Sequence, residues 1–382
     1  MTSFNEFGLA EPINRALAEE KYVTPTPIQT QTIPIAAQGR DVIGIAQTGT
    51  GKTAAFALPI LNHLYNKRQR PAQKSCRALV LSPTRELSSQ IADSFRAYGR
   101  HIRPLEIALA IGGVPINRQV RALARGAEVL VATPGRLLDL VHQRSLRLDQ
   151  IEVLVLDEAD RMLDMGFAPQ INRLVSAMPP YRQTLLFSAT MLPEVEVLAR
   201  KYLRRPHVVE VSRRSTTAVL VTHAVYPVPR SRKSALLIEL LKQPEMDSVL
   251  VFTRMKVGAD RVVRDLEHAG ISATALHADK RQTQRDQALA DFREGKIRVL
   301  VATDIAQRGL DITGISHVIN YDVPAQVEDY VHRIGRTGRA AQTGDAYTFM
   351  SPDEIAMVRM IERVIGQEID RVSVPGYDFG TA

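Results

Sequence analysis

The apolar run Val153-Leu154-Val155-Leu156 ends in Asp157-Glu158-Ala159-Asp160, and this junction constrains the fold more than any other stretch of the chain. Consecutive apolar residues of this kind suit a strand buried on both faces, so the carboxylates emerge at the carboxyl edge of a parallel sheet. Upstream, directly after the apolar stretch Asp41–Ile45, lies Ala46-Gln47-Thr48-Gly49-Thr50-Gly51-Lys52-Thr53. A glycine-rich turn between strand and helix lets backbone N–H groups approach phosphate oxygens, and the helix N-terminus adds positive potential. Lys52 then reaches the β- and γ-phosphates and Thr53 ligates Mg²⁺, although Ala46 stands where the generic pattern has glycine. Asp157 sits where a Mg²⁺-shell carboxylate is needed, and Glu158 where the attacking water is oriented or deprotonated. Each half alone has a bland reading, as a glycine turn or as carboxylates that cap the next helix. In this order they indicate a chain that binds and hydrolyses a nucleoside triphosphate.

Short Val/Leu/Ile runs alternate with amphipathic stretches along all 382 residues. Strands are expected at Asp41–Ile45, Ala78–Leu81, Ile107–Ile111, Val129–Ala132, Val153–Leu156 and Thr184–Phe187. A second series is expected at Val249–Phe252, Thr274–Leu276, Val299–Ala302, His317–Asn320 and Ala346–Phe349. This pattern predicts an α/β fold of mostly parallel sheets covered by helices on both faces. The length exceeds one ordinary core, which predicts two domains. The basic segment Arg204–Arg214, with Pro206, places a linker at 211–217 between domains 1–210 and 218–382. Val129-Leu130-Val131-Ala132-Thr133 recurs as Val299-Leu300-Val301-Ala302-Thr303, an echo that suggests related halves but that chance also produces in such folds. Only the first half carries a phosphate loop.

The net charge of +8 favours polyanionic partners, nucleic acid above all. Aromatic residues make up only 5% of the chain and Trp is absent, which favours contacts along a phosphate backbone over base stacking. The lone Cys76 rules out an intrachain disulfide or a cysteine metal cluster and suits a reducing interior. No apolar run approaches the roughly 18–20 residues of a membrane span, and Met1–Glu11 lacks a secretory h-region. A cytoplasmic protein is expected.

Three further groups of residues carry chemistry. In Pro25-Thr26-Pro27-Ile28-Gln29, otherwise a proline-stiffened turn, Gln29 has the donor and acceptor that suit an adenine edge, and Phe4 supplies a stacking face. His332-Arg333-Ile334-Gly335-Arg336-Thr337-Gly338-Arg339 forms a basic turn whose guanidinium groups match phosphate geometry. Since the second half has no phosphate loop, an arginine finger directed at the first half's nucleotide gives this turn a task. Pro83-Thr84-Arg85-Glu86-Leu87, Gly112-Gly113, Thr133-Pro134-Gly135-Arg136, Thr253-Arg254 and Thr303-Asp304 all fall at strand ends. Their hydroxyls, glycine amides and arginines suit a nucleic-acid backbone, although each alone also reads as a turn with a helix cap.

Together the chain resembles the DEAD-box RNA helicases of superfamily 2, from Phe4 to about Val374. The motifs that carry the resemblance are the Q motif ending at Gln29, the phosphate loop, Pro83–Gln90, Thr133–Arg136 and the acidic tetrad. They continue with Ser188-Ala189-Thr190, Gln282–Arg285, Arg308-Gly309-Leu310-Asp311 and His332–Arg339. The resemblance implies two tandem RecA-like domains, with ATP and Mg²⁺ in the cleft and RNA across both. It implies that Phe4, Tyr22, Thr24 and Gln29 hold the adenine end, and that Ala46, Gln47, Thr48, Gly49, Thr50, Gly51, Lys52, Thr53 and Asp157 hold the phosphates and Mg²⁺. Gly309 and Asp311 would meet the nucleotide at its ribose, Glu158 and His332 the attacking water, and Arg336 and Arg339 the γ-phosphate. Pro83, Thr84, Arg85, Gly113, Thr133, Gly135, Arg136, Thr253, Arg254 and Thr303 would contact RNA. Asp160, Ser188, Thr190, Gln282 and Arg285 would couple the site to interdomain closure. Ser3-Phe4 and Arg161–Phe167 resemble the bacterial RhlE-type group. The chain departs from the family at Lys21 (often Gly), Ser88 (often Ala), Ala278 (often Gly) and Gln307 (often small), without loss of a catalytic group.

The activity implied is RNA-stimulated ATP hydrolysis coupled to local, largely sequence-independent unwinding. The implied partners are single-stranded and short duplex RNA, engaged through the phosphate–ribose backbone, with ribosomal or RNA-decay assemblies as the wider setting. Two alternatives stay open: a DNA helicase or translocase, and an ATP-gated RNA clamp with little turnover.

Overall fold

The computed structural model describes residues 3–47, 49–211, 221–304, 315–337 and 344–373, except the side chains of Glu328 and His332. The chain divides into two compact units, residues 1–212 and 213–382. Of the expected linker 211–217, all but Val211 lies outside the described residues.

In the first unit, β1 (Val42–Ile45), β2 (Cys76–Leu81), β3 (Ile107–Ala110), β4 (Ala127–Ala132), β5 (Val153–Leu156), β6 (Gln183–Ser188) and β7 (His207–Glu210) form one sheet. Its order is β3-β4-β2-β5-β6-β1-β7, and the paired strands run parallel. The second unit repeats this with β8 (Val221–Pro227), β9 (Val249–Thr253), β10 (Ala273–Leu276), β11 (Val299–Thr303), β12 (His317–Asn320), β13 (Gly344–Met350) and β14 (Asp370–Arg371). The order is β10-β11-β9-β12-β13-β8-β14. Counted from its own first strand, each sheet has the same order. The repeated Val-Leu-Val-Ala-Thr therefore marks equivalent strands: Val129 opposes Ile107 across β3–β4, and Val299 opposes Ala273 across β10–β11.

Burial on both faces explains the continuous apolar runs. Along β5, Val153 and Val155 join a cluster with Phe56, Phe95 and Phe187 on one face. Leu154 and Leu156 join Leu137, Met162 and Leu174 on the other. Each such side chain contributes about 1.5–3 kcal/mol by leaving water. The α/β expectation holds, with strands β7, β8 and β14 added to it. These three lack the continuous apolar run used to find the others. In β7 only Val209 is buried, and in β8 exposed Thr222 and polar His223 interrupt the buried residues Val221, Ala224, Val225 and Tyr226.

At the amino edge of the first sheet, Glu152 joins Arg77 to His63. Its carboxylate accepts from Arg77 Nη2 at 3.1 Å and lies 2.7 Å from His63 Nε2. Burial alone would raise the Glu152 pKa, but hydrogen bonds from His63 and Arg77 hold it down to about 2. A depressed folded-state value gives stability that is present above the unfolded value and lost as pH falls through the folded one. Glu152→Gln should therefore cost on the order of 2 kcal/mol at pH 7. In urea denaturation the difference from wild type should shrink as pH falls from about 4.5 toward about 2; a gap that does not change with pH would refute it.

Candidate nucleotide site and nucleic-acid edge

The strand order places β6 between β1 and β5, so the turns that follow these strands are neighbours at the carboxyl edge. Ala46 N, in the phosphate loop, donates to Ser188 O at 3.0 Å. On the other side, Asp160 Oδ2 accepts from Ala189 N (3.0 Å), Thr190 N (3.0 Å) and Thr190 Oγ1 (3.1 Å). Asp160 N in turn donates to Ser188 Oγ at 3.3 Å. The Ser188–Thr190 segment thus ties the acidic tetrad to the phosphate loop.

The loop is closed from within. Helix α3 (Lys52–Asn66) starts after Gly51, whose φ of 90° is in the left-handed region. Lys52 is 7% exposed, and its Nζ donates to Ala46 O at 2.8 Å. Thr50 Oγ1 donates to Gln47 O at 2.7 Å, and Thr48 lies outside the described residues. Gln29 is buried: its Oε1 accepts from Thr26 N at 2.9 Å and its Nε2 donates to Gly51 O at 3.1 Å. The first bond belongs to the capping box that starts the helix Pro27–Ala37. The side chain expected at an adenine edge here staples the segment before that helix to the phosphate loop. Phe4, expected as an open stacking face, is 4% exposed and packs edge-on against Phe7 and Tyr22. Tyr22 shares a 2.8 Å hydroxyl hydrogen bond with Tyr98, while Thr24 is exposed.

Glu158 adopts φ 51° and ψ 54°, a left-handed conformation that costs a non-glycine residue about 1–2 kcal/mol. Its Oε2 is 2.7 Å from Arg161 Nη1, both side chains are 6% exposed, and Arg161 Nη2 has no partner. Burial pushes the Asp157 carboxyl up to about 7, with Lys52 pulling it down and Glu158 adding to the rise. It is a group that a bound cation would hold ionised. Sequence reasoning missed Arg161, whose only signal was its spacing from Glu158.

The other half of the same edge carries the segments expected at a nucleic-acid backbone. β3, β4 and β2 are adjacent, so Gly112-Gly113, Thr133–Arg136 and Pro83–Arg85 form one strip. Thr84 caps the helix Arg85–Tyr98 by accepting from Leu87 N at 3.3 Å. The Arg85 guanidinium lies against Gly112, where an added Cβ would meet it at 3.0 Å. Arg136 Nη1 donates to Val114 O at 2.8 Å, while Gly135 faces open space. Ser88, where the family often has Ala, is buried and donates to Thr84 O at 2.8 Å. In the second unit, Thr253 and Thr303 pair across β9 and β11, and Arg254 Nη2 donates to Val323 O at 3.1 Å. Gln282 Nε2 donates to Asp286 Oδ1 at 3.0 Å, and Arg285 is half-buried on the same helix.

The basic turn needs correcting at Arg333. That residue is fully buried, and it donates to both carboxylate oxygens of Asp304, at 2.6 and 2.7 Å, and to Asp322 O at 2.7 Å. It is a structural cation, held by the Asp304 that follows Thr303. Arg336 is 4% exposed. Gly309, Asp311 and Arg339, and the side chain of His332, lie outside the described residues.

A phosphate-loop site on one parallel sheet, followed by a second sheet of the same order, defines a tandem RecA-like ATPase. Residues 26–198 match the model for DEAD/DEAH box helicases, and residues 232–341 match the helicase conserved C-terminal domain. The ATP-dependent RNA helicase CshA of Listeria monocytogenes is 42% identical over 99% of this chain and 72% of its own length. The Bacillus subtilis CshA is 41% identical over 98% and 75%. Among solved structures, S. cerevisiae Dbp5 bound to RNA and ADP BeF3 superposes with a TM-score of 0.85 at 32% identity, covering 97% of this chain and 96% of that one. A DEAD box protein from Methanococcus jannaschii gives a TM-score of 0.54 at 34% identity, over 98% and 99%. The chain belongs to the DEAD-box family of ATP-dependent RNA helicases. These curated relatives are named CshA, so the RhlE-type resemblance of Ser3-Phe4 and Arg161–Phe167 is not what they carry.

Two substitutions probe the site. A Cβ on Gly51 would lie 2.3 Å from Gln29 Nε2 on a left-handed backbone. Gly51→Ala should weaken ATP binding by about tenfold or more in a nucleotide titration. Arg161→Met leaves the Glu158 carboxylate buried without its guanidinium and should cost about 3 kcal/mol in denaturant unfolding. A neutral result would mean that the ion pair has no structural role.

Proposed function

We propose that ATP and RNA jointly draw the two units together, that closure completes the hydrolytic site, and that a strand held in the closed state cannot remain in an A-form duplex. The chain would then pry short helices apart locally, and phosphate release would reopen it. Each ligand favours binding of the other, as linkage requires. The Asp160 hydrogen bonds carry this reading, because they join the tetrad to Ser188–Thr190 and through it to the phosphate loop.

The roles follow from position. Lys52 would exchange Ala46 O for the β- and γ-phosphates, within the amides of Gly49 to Thr53. Phe4, Tyr22, Thr24 and Gln29 would frame the adenine end, and Gly309 and Asp311 the ribose. Glu158 and His332 would hold the water whose oxygen attacks the γ-phosphorus, with Glu158 taking its proton as the bridging oxygen leaves. Arg336 and Arg339 would meet the charge that develops on the γ-phosphate. Gln282 and Arg285 would contribute to coupling in the second unit.

The residues present fit Mg²⁺. Asp157 is a buried carboxylate raised by its surroundings, and Thr53 opens α3 beside Lys52. An ion of this kind is held largely by phosphates and water, with one or two protein ligands. Bound there, Mg²⁺ would neutralise phosphate charge.

Thr84, Arg85, Gly113, Thr133, Gly135 and Arg136, with Pro83 shaping the turn, would follow the RNA backbone on the first unit, and Thr253, Arg254 and Thr303 on the second. Backbone contacts give little sequence preference. Among the described residues no helix is long and apolar enough to cross a membrane; we place the protein in the cytoplasm, with ribosomal or RNA-decay assemblies as its setting.

The test is steady-state ATPase without nucleic acid, with single-stranded RNA and with DNA of the same sequence, using Lys52→Ala as the blank. RNA alone should stimulate. Equal stimulation by DNA would favour a DNA motor, and nucleotide-dependent RNA retention without turnover would favour a clamp. Glu158→Gln should keep ATP and RNA binding but lower kcat by about a hundredfold or more; a wild-type rate would remove Glu158 from the mechanism.

A further inference from the structure

At the amino edge of the first sheet, about 20 Å along the strands from the phosphate loop, lies an open pocket of about 570 Å³. Its walls come from the turns that enter β1, β5, β6 and β7 and from the end of α3, and they include Lys67, Tyr181, Arg182 and Arg204. Tyr181 is 84% exposed, more than any other large apolar side chain among the described residues. The Arg204 guanidinium stacks over its ring at 4.6 Å from the centroid, and that exposure leaves the ring's other face to solvent. A second such stack, Arg68 over Tyr65 at 4.7 Å, lies at the end of α3.

The charges here are poorly compensated. Arg182 donates from Nη1 to Pro179 O at 2.7 Å, while its Nε is buried without a partner. Burial holds the Arg182 pKa below its ordinary value, and the charge of Arg204 adds to this against the opposing pull of Asp41. The Asp41 carboxylate is committed to backbone, accepting from Thr184 N at 2.8 Å and Arg204 N at 2.6 Å. Of the two carboxylates in the walls, Glu152 is held by Arg77 and His63, and Asp149 is 3.7 Å from Arg147. Cations near helix ends are favoured by the helix dipole, but the dipole gives no reason for two neighbouring guanidiniums beside an exposed ring.

We propose that this pocket is a second RNA-binding site, remote from the motor groove, in which a backbone phosphate sits between Arg182 and Arg204 and a nucleobase stacks on the free face of Tyr181. Guanidinium pairs match phosphate geometry, and a tyrosine face accepts any base, so the site is indifferent to sequence. It would hold a distant part of the RNA whose other segment lies in the groove, and raise the local concentration of strand there. The proposal rests on the chain's action on RNA.

The test compares the double variant Tyr181→Ala/Arg204→Glu with wild type, with melting curves to check folding, since both side chains are exposed. In the presence of a non-hydrolysable ATP analogue, the variant should bind a long single strand about fivefold or more weakly. Its affinity for a strand only long enough to fill the groove, and kcat stimulated by that strand, should match wild type. A long strand carrying 4-thiouridine should crosslink to the Tyr181 peptide of the wild-type protein. Unchanged affinity for the long strand, or an equal loss for both strands, would overturn the site. So would displacement of the crosslink by an acidic polypeptide more effectively than by unlabelled RNA, which would make the partner an acidic protein. A wild-type protein that the short strand fails to stimulate would instead sink the motor reading.

Discussion

One carboxylate holds the reactive edge together. Asp160 leaves the strand-end tetrad and spends its oxygens on the amides and hydroxyl of Ala189 and Thr190 and on the amide of Arg161. Charge-assisted hydrogen bonds of this kind are shorter and stronger than neutral ones. The bonds are possible because β6 runs between β1 and β5, which brings three turns distant in sequence to one place. With Asp160 committed to the backbone, Asp157 takes no part in that tie, and Glu158 is held in its left-handed conformation with its carboxylate on Arg161. Strain at one residue persists where its surroundings over-determine it.

The second unit uses its charges differently. Arg333 is consumed by Asp304, Asn320 and the Asp322 carbonyl, and its guanidinium stands 5.1 Å from the Phe252 ring centroid. Lys233, also buried, donates to Glu354 at 2.7 Å and to Tyr321 O at 2.8 Å. Val323 N reaches the other oxygen of Glu354 at 3.2 Å. Buried ion pairs of this sort add little net stability over apolar packing, but losing one partner is costly. The Arg333 bonds tie the helix Val327–Ile334 to the ends of β11 and β12.

The fold was legible where the chain is buried on both faces. Val153–Leu156 and Val299–Ala302 could be found because a short apolar run bounded by polar turns suits a strand buried on both faces. Strands β7 and β8 escaped because an edge strand, or one with a polar face, has to satisfy only half of that pattern. The site was legible as a set of residue types in order, but individual assignments were less so. Arg333 and Arg336 look alike in a basic turn and both are buried, and it is the ion pair with Asp304 that gives Arg333 a structural task. Gln29 was singled out as a donor–acceptor, but its use of both groups on Thr26 and Gly51 depends on a contact spanning 22 residues.

The sequence by itself determined that this chain would form parallel sheets with a phosphate loop and paired carboxylates at a carboxyl edge. Apolar runs, glycines and their spacing are local constraints that survive without knowledge of neighbours. The tertiary structure decided which strand separates β1 from β5, which carboxylate binds backbone and which is left for a ligand, and that Tyr181 and Arg204 stack at the opposite edge. These depend on strand order and through-space distance, which the linear order of residues does not encode.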